Sequence, residues 1–183
     1  MAGSYYHVDS SAIDGMKLFR HDEDRATFLR LLGKEIRRSE WRCLAYSLMS
    51  THYHLLIKLE KCTLSSGMQN LNGSYARGFN RNYGRRGALF QRRFFDRLIE
   101  TDSHLLETTR YIARNATRVD LCPTPEEYAW CSYGAIVAGE SDPVVDDDEL
   151  LGLFGPSPKE ARRRLKAFVD EPDPRKRRSQ TPL

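Results

Sequence analysis

The sequence predicts an α+β fold, and three observations carry that expectation. Apolar and polar residues alternate strand-wise at Tyr5–Ser10 and again over His52–Leu59. Between and after these stretches, apolar residues recur at helical spacing, as in Phe28, Leu29, Leu32 and Ile36, and in Leu64, Met68, Leu71, Tyr75 and Phe79. The resulting order is strand, helix, two strands, helix, strand, the pattern of a ferredoxin-like antiparallel sheet with helices packed on it. A small helical extension follows.

Each element has its own warrant. Tyr5–Ser10 is the first strand; it carries His7, which reads as structural because nothing in sequence pairs it with the later histidines. Asp22, Glu23 and Asp24 favour a helix start, and Arg37–Arg38 suit its end. Cys43–Ser50 is the second strand, joined by a tight break at Ser50–Thr51 to the strand bearing His52 and His54, so the two pair antiparallel. A helix from Leu64 to Tyr83 follows, then the basic turn Gly84–Gly87 and a strand over Ala88–Glu100.

Asp102 or Ser103 caps the next helix. Its apolar stripe is Leu105, Leu106, Thr109, Ile112 and Ala113. At about 3.6 residues per turn, His104, Thr108, Tyr111 and Asn115 line up nearly opposite that stripe. Tyr128, Trp130 and Tyr133 read as aromatics covering an edge of the core. Ala138–Asp142 is a linker, Asp146–Phe154 a short helix, and Ser157-Pro158-Lys159-Glu160 a well-formed start for the last one. The basic segment Pro172–Leu183 is expected to be disordered.

Composition narrows the function. A chain of 183 residues suits one domain with an appendage. A formal charge of +4 is only modestly basic, but seven arginines fall between Arg77 and Arg97 with only Asp96 opposing them. Arginine mixed with Tyr and Phe is the footprint of a nucleic-acid-facing region. Cys43, Cys62, Cys122 and Cys131 form no C-x-x-C pair, no run resembles a signal peptide, and no stretch is long enough to span a membrane. A cytoplasmic protein with reduced thiols is expected. Nucleotide-binding glycine motifs and H-E-x-x-H are absent, so the chemistry is not expected to run on a bound nucleotide.

The candidate chemistry centres on His52 and His54, which share a strand face and can share a metal ion. The opposite face, with Tyr53, Leu55, Ile57 and Leu59, is the core side. No carboxylate can be placed beside the two histidines from sequence.

LMSTHYHLLI around the histidines, FNRNYGRRGALFQRRF, and the later RYIARN and EEYAWCSY resemble the HUH single-tyrosine transposases, closest to the REP-associated tyrosine transposases and their insertion-sequence relatives. The resemblance covers roughly Tyr5 to Gly134. It implies a catalytic domain over residues 1–138 and an extension over 139–183. It implies Tyr111 as nucleophile and His52, His54 and Asn115 as ligands of a divalent metal, Mg²⁺ or Mn²⁺. The implied reaction is cleavage and rejoining of single-stranded DNA through a covalent 5′-phosphotyrosine, with recognition of a hairpin, in DNA transposition. Arg77, Arg81, Arg85, Arg86, Arg92 and Arg93 are the candidates for gripping the DNA backbone. When bound to DNA, such a protein would be nucleoid-associated, and the family includes both homodimers and monomers. Tyr75 is the rival nucleophile, ranked lower because it sits within an apolar stripe. The chain departs from the family at Ser10–Ser11, Ser50–Thr51 and Ala116. The alternative reading is therefore a domesticated, non-catalytic hairpin DNA-binding protein on the same fold.

Overall fold

The computed structural model describes residues 3–60 and 64–172. The basic segment from residue 173 onward, expected to be disordered, lies outside the described residues.

Four strands form one antiparallel sheet: β1 (Ser4–Ser11), β2 (Trp41–Leu48), β3 (His52–Leu59) and β4 (Phe95–Ile99), in the order β2-β3-β1-β4. With helices α1 (Asp22–Ser39) and α2 (Leu64–Asn82) between them, this is the ferredoxin-like arrangement that the element order predicts. Because β1 lies between β3 and β4, it is paired along both sides, and its ladder with β3 is the central one of the sheet.

One face of the sheet is predominantly apolar, with Ser10 and, at the β4 edge, Asp96 the polar residues in its register. Val8, Cys43, Tyr46, Leu48, Tyr53, Leu55, Ile57 and Leu59 meet Phe28 and Leu32 of α1 and Leu64, Met68, Leu71, Tyr75 and Phe79 of α2. The buried phenols in this core keep their hydrogen bonds: Tyr53 donates to Asn72 Oδ1 at 2.7 Å and Tyr75 to the Leu18 carbonyl at 2.7 Å. The α1 N-terminus is held by Asp24, whose carboxylate accepts from the backbone N–H of Arg20 and His21. Gly67 lets α2 approach Trp41 closely; a Cβ there would lie 2.2 Å from the indole ring.

The other face is covered by α3 (Asp102–Ala113) and by the later helices α4 (Tyr133–Ala138), α5 (Asp148–Gly152) and α6 (Pro158–Asp170). Leu44, Ala45 and Leu56 of the sheet form a second core with Leu105, Ile112, Tyr133, Leu150, Leu165 and Val169. A bulge between Cys43 and Ala45 breaks the alternation of β2, so Leu44 and Ala45 both enter this second core. Arg42 and Lys58, farther along the same face, bind Glu149 of α5 at 3.0 and 2.8 Å. The outer edge of β2 is capped by residues 128–132: Leu48 N–H donates to the Trp130 carbonyl and Ser132 N–H to that of Tyr46.

β4 is shorter than the strand expected over Ala88–Glu100. Leu89 turns into the first core, and residues 89 and 91 bond the backbone of Ile13 and Ser11 instead. Regular pairing starts only at Phe95, opposite Asp9.

Candidate active site

The alternation of β3 sends Tyr53 into the first core and turns His52 and His54 to the second face. The β1 ladder sets Ser11 opposite His52, Asp9 opposite His54 and His7 opposite Leu56. Directly opposed residues share a face, so β1 adds His7 and Asp9 to the histidine pair. The expectation that nothing pairs His7 with the later histidines is thereby corrected. His7 Nε2 lies 3.0 Å from His54 Nδ1. Asp9 is the carboxylate that could not be placed from sequence: His7, Asp9 and His54 each offer a ligand atom, all within 4.8 Å of one another. On the far side of β1, Phe95 lies opposite Asp9 and Arg97 opposite His7.

α3 closes over this cluster. Thr101 caps its N-terminus by accepting the His104 N–H, and Leu105, Ile112 and Ala113 pack into the second core. The Tyr111 ring stacks edge-on against both His54 and His7, with centroids 5.2 and 5.7 Å apart. The Arg118 guanidinium lies 5.1 Å from the centre of the same ring. Asn115 lies just beyond the α-helix rather than on it. The helix ends at Ala113 and a tighter turn follows, in which Asn115 N–H donates to the Ile112 carbonyl. Its side chain, only 6 % exposed, acts on His52 and pulls the imidazole pKa upward. The fold thus brings together His52, His54, Tyr111 and Asn115. The rival phenol, Tyr75, is 2 % exposed on the opposite face of the sheet.

Burial sets the electrostatics. His54 is 5 % exposed; burial pushes its pKa well down, and His7 and His52 push it further. Burial, then Arg97 and His104, lower His7 to about 4. His52 is lowered by burial, with Asn115 and Asp9 pulling it back. Asp9 is raised by burial, against the opposing effects of Arg92, His52 and Arg97. The three imidazoles are therefore neutral near pH 7 and keep lone pairs for a cation. His54 Nε2 in particular is buried with no hydrogen-bond partner. With His7 and Asp9 offering ligand atoms within 4.8 Å of those of His54, this is a donor set that fits a divalent metal, while His52 lies outside that tight group.

The six candidate arginines do not lie together. Arg92 is the one of the six whose charge acts on Asp9, together with Arg97 from outside the candidate set. Arg77 and Arg81 belong to α2, which packs on the opposite face of the sheet, and Arg77 bonds Ser74. Arg85 braces the following turn through Asn80 Oδ1 and the Ala88 carbonyl. Arg86 and Arg93 are exposed, and Arg93 borders a groove with Arg92, Phe90 and Ala76.

Comparison with known proteins places this geometry. Residues 2–115 match the family described as IS200-like transposases. The chain belongs to the IS200-like transposase family. The match starts before β1 and stops at Asn115, so it contains every residue of the histidine and tyrosine cluster. A solved REP-associated tyrosine transposase bound to a REP hairpin superposes with a TM-score of 0.65 at 14 % identity, over 81 % of this chain and 88 % of that one. That likeness shows a shared fold. A tRNA(His) guanylyltransferase from Saccharomyces cerevisiae aligns over 94 % of this chain and 82 % of its own, at 11 % identity and a TM-score of 0.44, which is too low to support an argument. No curated protein matches the sequence. Membership in the transposase family makes DNA the partner class, and among the described residues no helix is long and apolar enough to cross a membrane.

Proposed function

We propose that this IS200-like transposase cleaves and rejoins single-stranded DNA through Tyr111, next to a hairpin that it recognises. The observation that carries the reading is the Tyr111 ring lying against His54 and His7, with Asn115 buried just beyond the same helix and acting on His52. His52, His54 and Asn115 would hold Mg²⁺ or Mn²⁺, and such an ion, when bound, offsets charge on the scissile phosphate. Hairpin recognition is taken from the fold relative bound to a REP hairpin.

The protein's own residues account for the rest. The Tyr111 oxygen bonds to phosphorus, the P–O3′ bond breaks, and the freed 3′ oxygen takes up a proton while the phenol loses its own. The product is a 5′-phosphotyrosine, and reversal by another 3′-OH rejoins DNA without a nucleotide cofactor. Stacking on two imidazoles and under Arg118 restricts the ring to a narrow range of orientations before DNA arrives. Because Tyr111 meets the histidines of its own chain, this geometry favours a site complete in one protomer. Arg92, whose charge acts on Asp9, is proposed as a backbone contact closer to the reaction than Arg77, Arg81, Arg85 and Arg86, while Arg93 borders a separate groove against α2.

The test uses labelled hairpin DNA from sequence flanking the coding region, Mg²⁺ or Mn²⁺, and a denaturing gel. Wild type should give a protein–DNA adduct and Tyr111→Phe none. An adduct that survives Tyr111→Phe and disappears in Tyr75→Phe would assign the wrong tyrosine. Hairpin binding without adduct, with both metals, would favour the non-catalytic reading.

A further inference from the structure

The histidine pair has two neighbours on β1 that the proposed ligand set leaves unused. Asp9 is directly opposite His54 in the ladder, and one of its oxygens lies within 4.8 Å of ligand nitrogens of His54 and His7. Among the described residues its carboxylate makes no hydrogen bond or ion pair shorter than 4 Å, although Arg92 and Arg97 act on it from farther away. A half-buried carboxylate left unpaired beside neutral imidazoles is costly unless a cation joins it.

His7 contributes through the other nitrogen of His54. The His7 Nε2–His54 Nδ1 hydrogen bond can carry its proton on either ring. If His54 were protonated at Nε2, a donor would be buried without an acceptor. With the proton on Nδ1 and given to His7, the buried Nε2 is a bare lone pair, the form that a metal takes.

We propose that Asp9 is a further ligand of the divalent ion held by His52 and His54, and that His7 is a positioning residue that fixes the metal-binding tautomer of His54. This rests on the metal-dependent reading of the site. The carboxylate adds negative charge and a hard oxygen to a set otherwise made of two imidazoles and an amide. That shifts the preference of the site from zinc towards Mg²⁺ and Mn²⁺. A register position thereby specifies an ion that the H-x-H pair leaves undetermined.

The experiment measures Mn²⁺ binding to the metal-stripped full chain, by the loss of the free-ion EPR signal and by calorimetry, without DNA. Asp9→Asn and Asp9→Ser should each weaken Mn²⁺ binding at least about tenfold, and weaken Mg²⁺ more than Zn²⁺. Circular dichroism confirms that the variants are folded. His7→Leu should weaken binding by a similar factor, and His7→Gln, which restores an acceptor to His54 Nδ1, should recover most of it. Mn²⁺ affinity within twofold of wild type in both Asp9 variants would overturn the ligand assignment. Equal loss in His7→Leu and His7→Gln would overturn the positioning role. The parent reading fails separately: Mn²⁺ affinity unchanged in His52→Ala would remove the metal centre itself, whatever the β1 variants do.

Discussion

The two faces of one sheet are built from alternate residues of the same strands, yet they do different work. The face under α1 and α2 is predominantly apolar, and its buried phenols Tyr53 and Tyr75 are hydrogen-bonded. The other face divides into thirds. An apolar middle of Leu44, Ala45 and Leu56 separates an ionic end, at Arg42, Lys58 and Glu149, from the histidine end at His7, Asp9, His52 and His54. Among the described residues the histidine end leaves the buried His54 Nε2 unpartnered, at the place where the sheet is most polar. Residues 52 to 55 thus alternate between holding the fold together and exposing it to strain. The division is a reason to expect stability and ligand binding to respond to different mutations, even at adjacent positions.

The largest effect on stability should come from the apolar face. Leu55 is fully buried between the strands and helices, and Leu55→Ala should cost about 2–5 kcal/mol while leaving Mn²⁺ affinity per folded molecule unchanged. Urea unfolding in parallel with metal titration checks both halves. A loss of metal affinity as large as the loss of stability would show that the faces are not independent.

Gly67→Ala gives a sharper, smaller test of the same face. The added methyl meets the indole of Trp41 well inside contact distance, and the ring is buried, so α2 must shift. A cost of roughly 1–3 kcal/mol is expected. Gly78→Ala, where the added Cβ meets nothing, should be stabilising by a few tenths of a kcal/mol to about 1 kcal/mol through helix propensity. If the two variants melt at the same temperature, the close approach of α2 to Trp41 is not what the structure shows.

At the histidine end the sign reverses. His54→Leu removes the unpartnered nitrogen and fills the space with carbon, so the metal-free protein should gain about 1 kcal/mol while losing Mn²⁺ binding altogether. A stability loss in His54→Leu would mean that the His7–His54 bond contributes more to the fold than the orphaned atom costs.

This contrast also explains what the sequence made legible. Tyr53, Leu55, Ile57 and Leu59 announce the core face because a period of two is visible in a line of residues, and the stripe from Leu64 to Phe79 does the same for α2. Helical spacing likewise separated Tyr111 from the stripe of Leu105, Thr109 and Ile112, but it did not show that Tyr111, Thr108 and Asn115 would also be packed, with Tyr111 against the histidines of the sheet. Asp9 and His7 could not be joined to His54, because which residue faces which is decided by strand register, and register is a property of two distant segments. The ferredoxin-like order already implied that β1 borders β3. Setting residues of equal parity in β1 against His52 and His54 was the available, unused signal. The bulge at Leu44 and the shortened β4 were illegible for a different reason: in each, burial of one leucine overrides local alternation. The apolar stripes of α5 and α6 were visible, but not that they would share a core with Leu44 and Leu56.

The smallest effect belongs to the ionic end of the second face, and it depends on pH. The Arg42 hydrogen bond holds Asp146 below its ordinary pKa of 3.8. For Glu149, burial pulls upward from 4.5, but Lys58, Tyr5 and Arg42 outweigh it and leave the pKa lowered. Both groups are depressed in the folded state. The unfolded chain therefore binds more protons in acid, and the stabilisation, fully present above the ordinary carboxylate values, is lost as pH falls below about 4.5 and through the lowered folded values. Both carboxylates are partly exposed, so screening keeps the total under about 1 kcal/mol. Hydrogen exchange should show α5 and α6 losing protection first on acidification, while the β3 amides stay protected. In Glu149→Gln that early step should diminish. Simultaneous loss of protection in α5 and β3, in both proteins, would mean that the ionic end does not hold the extension to the sheet and that the second core alone does.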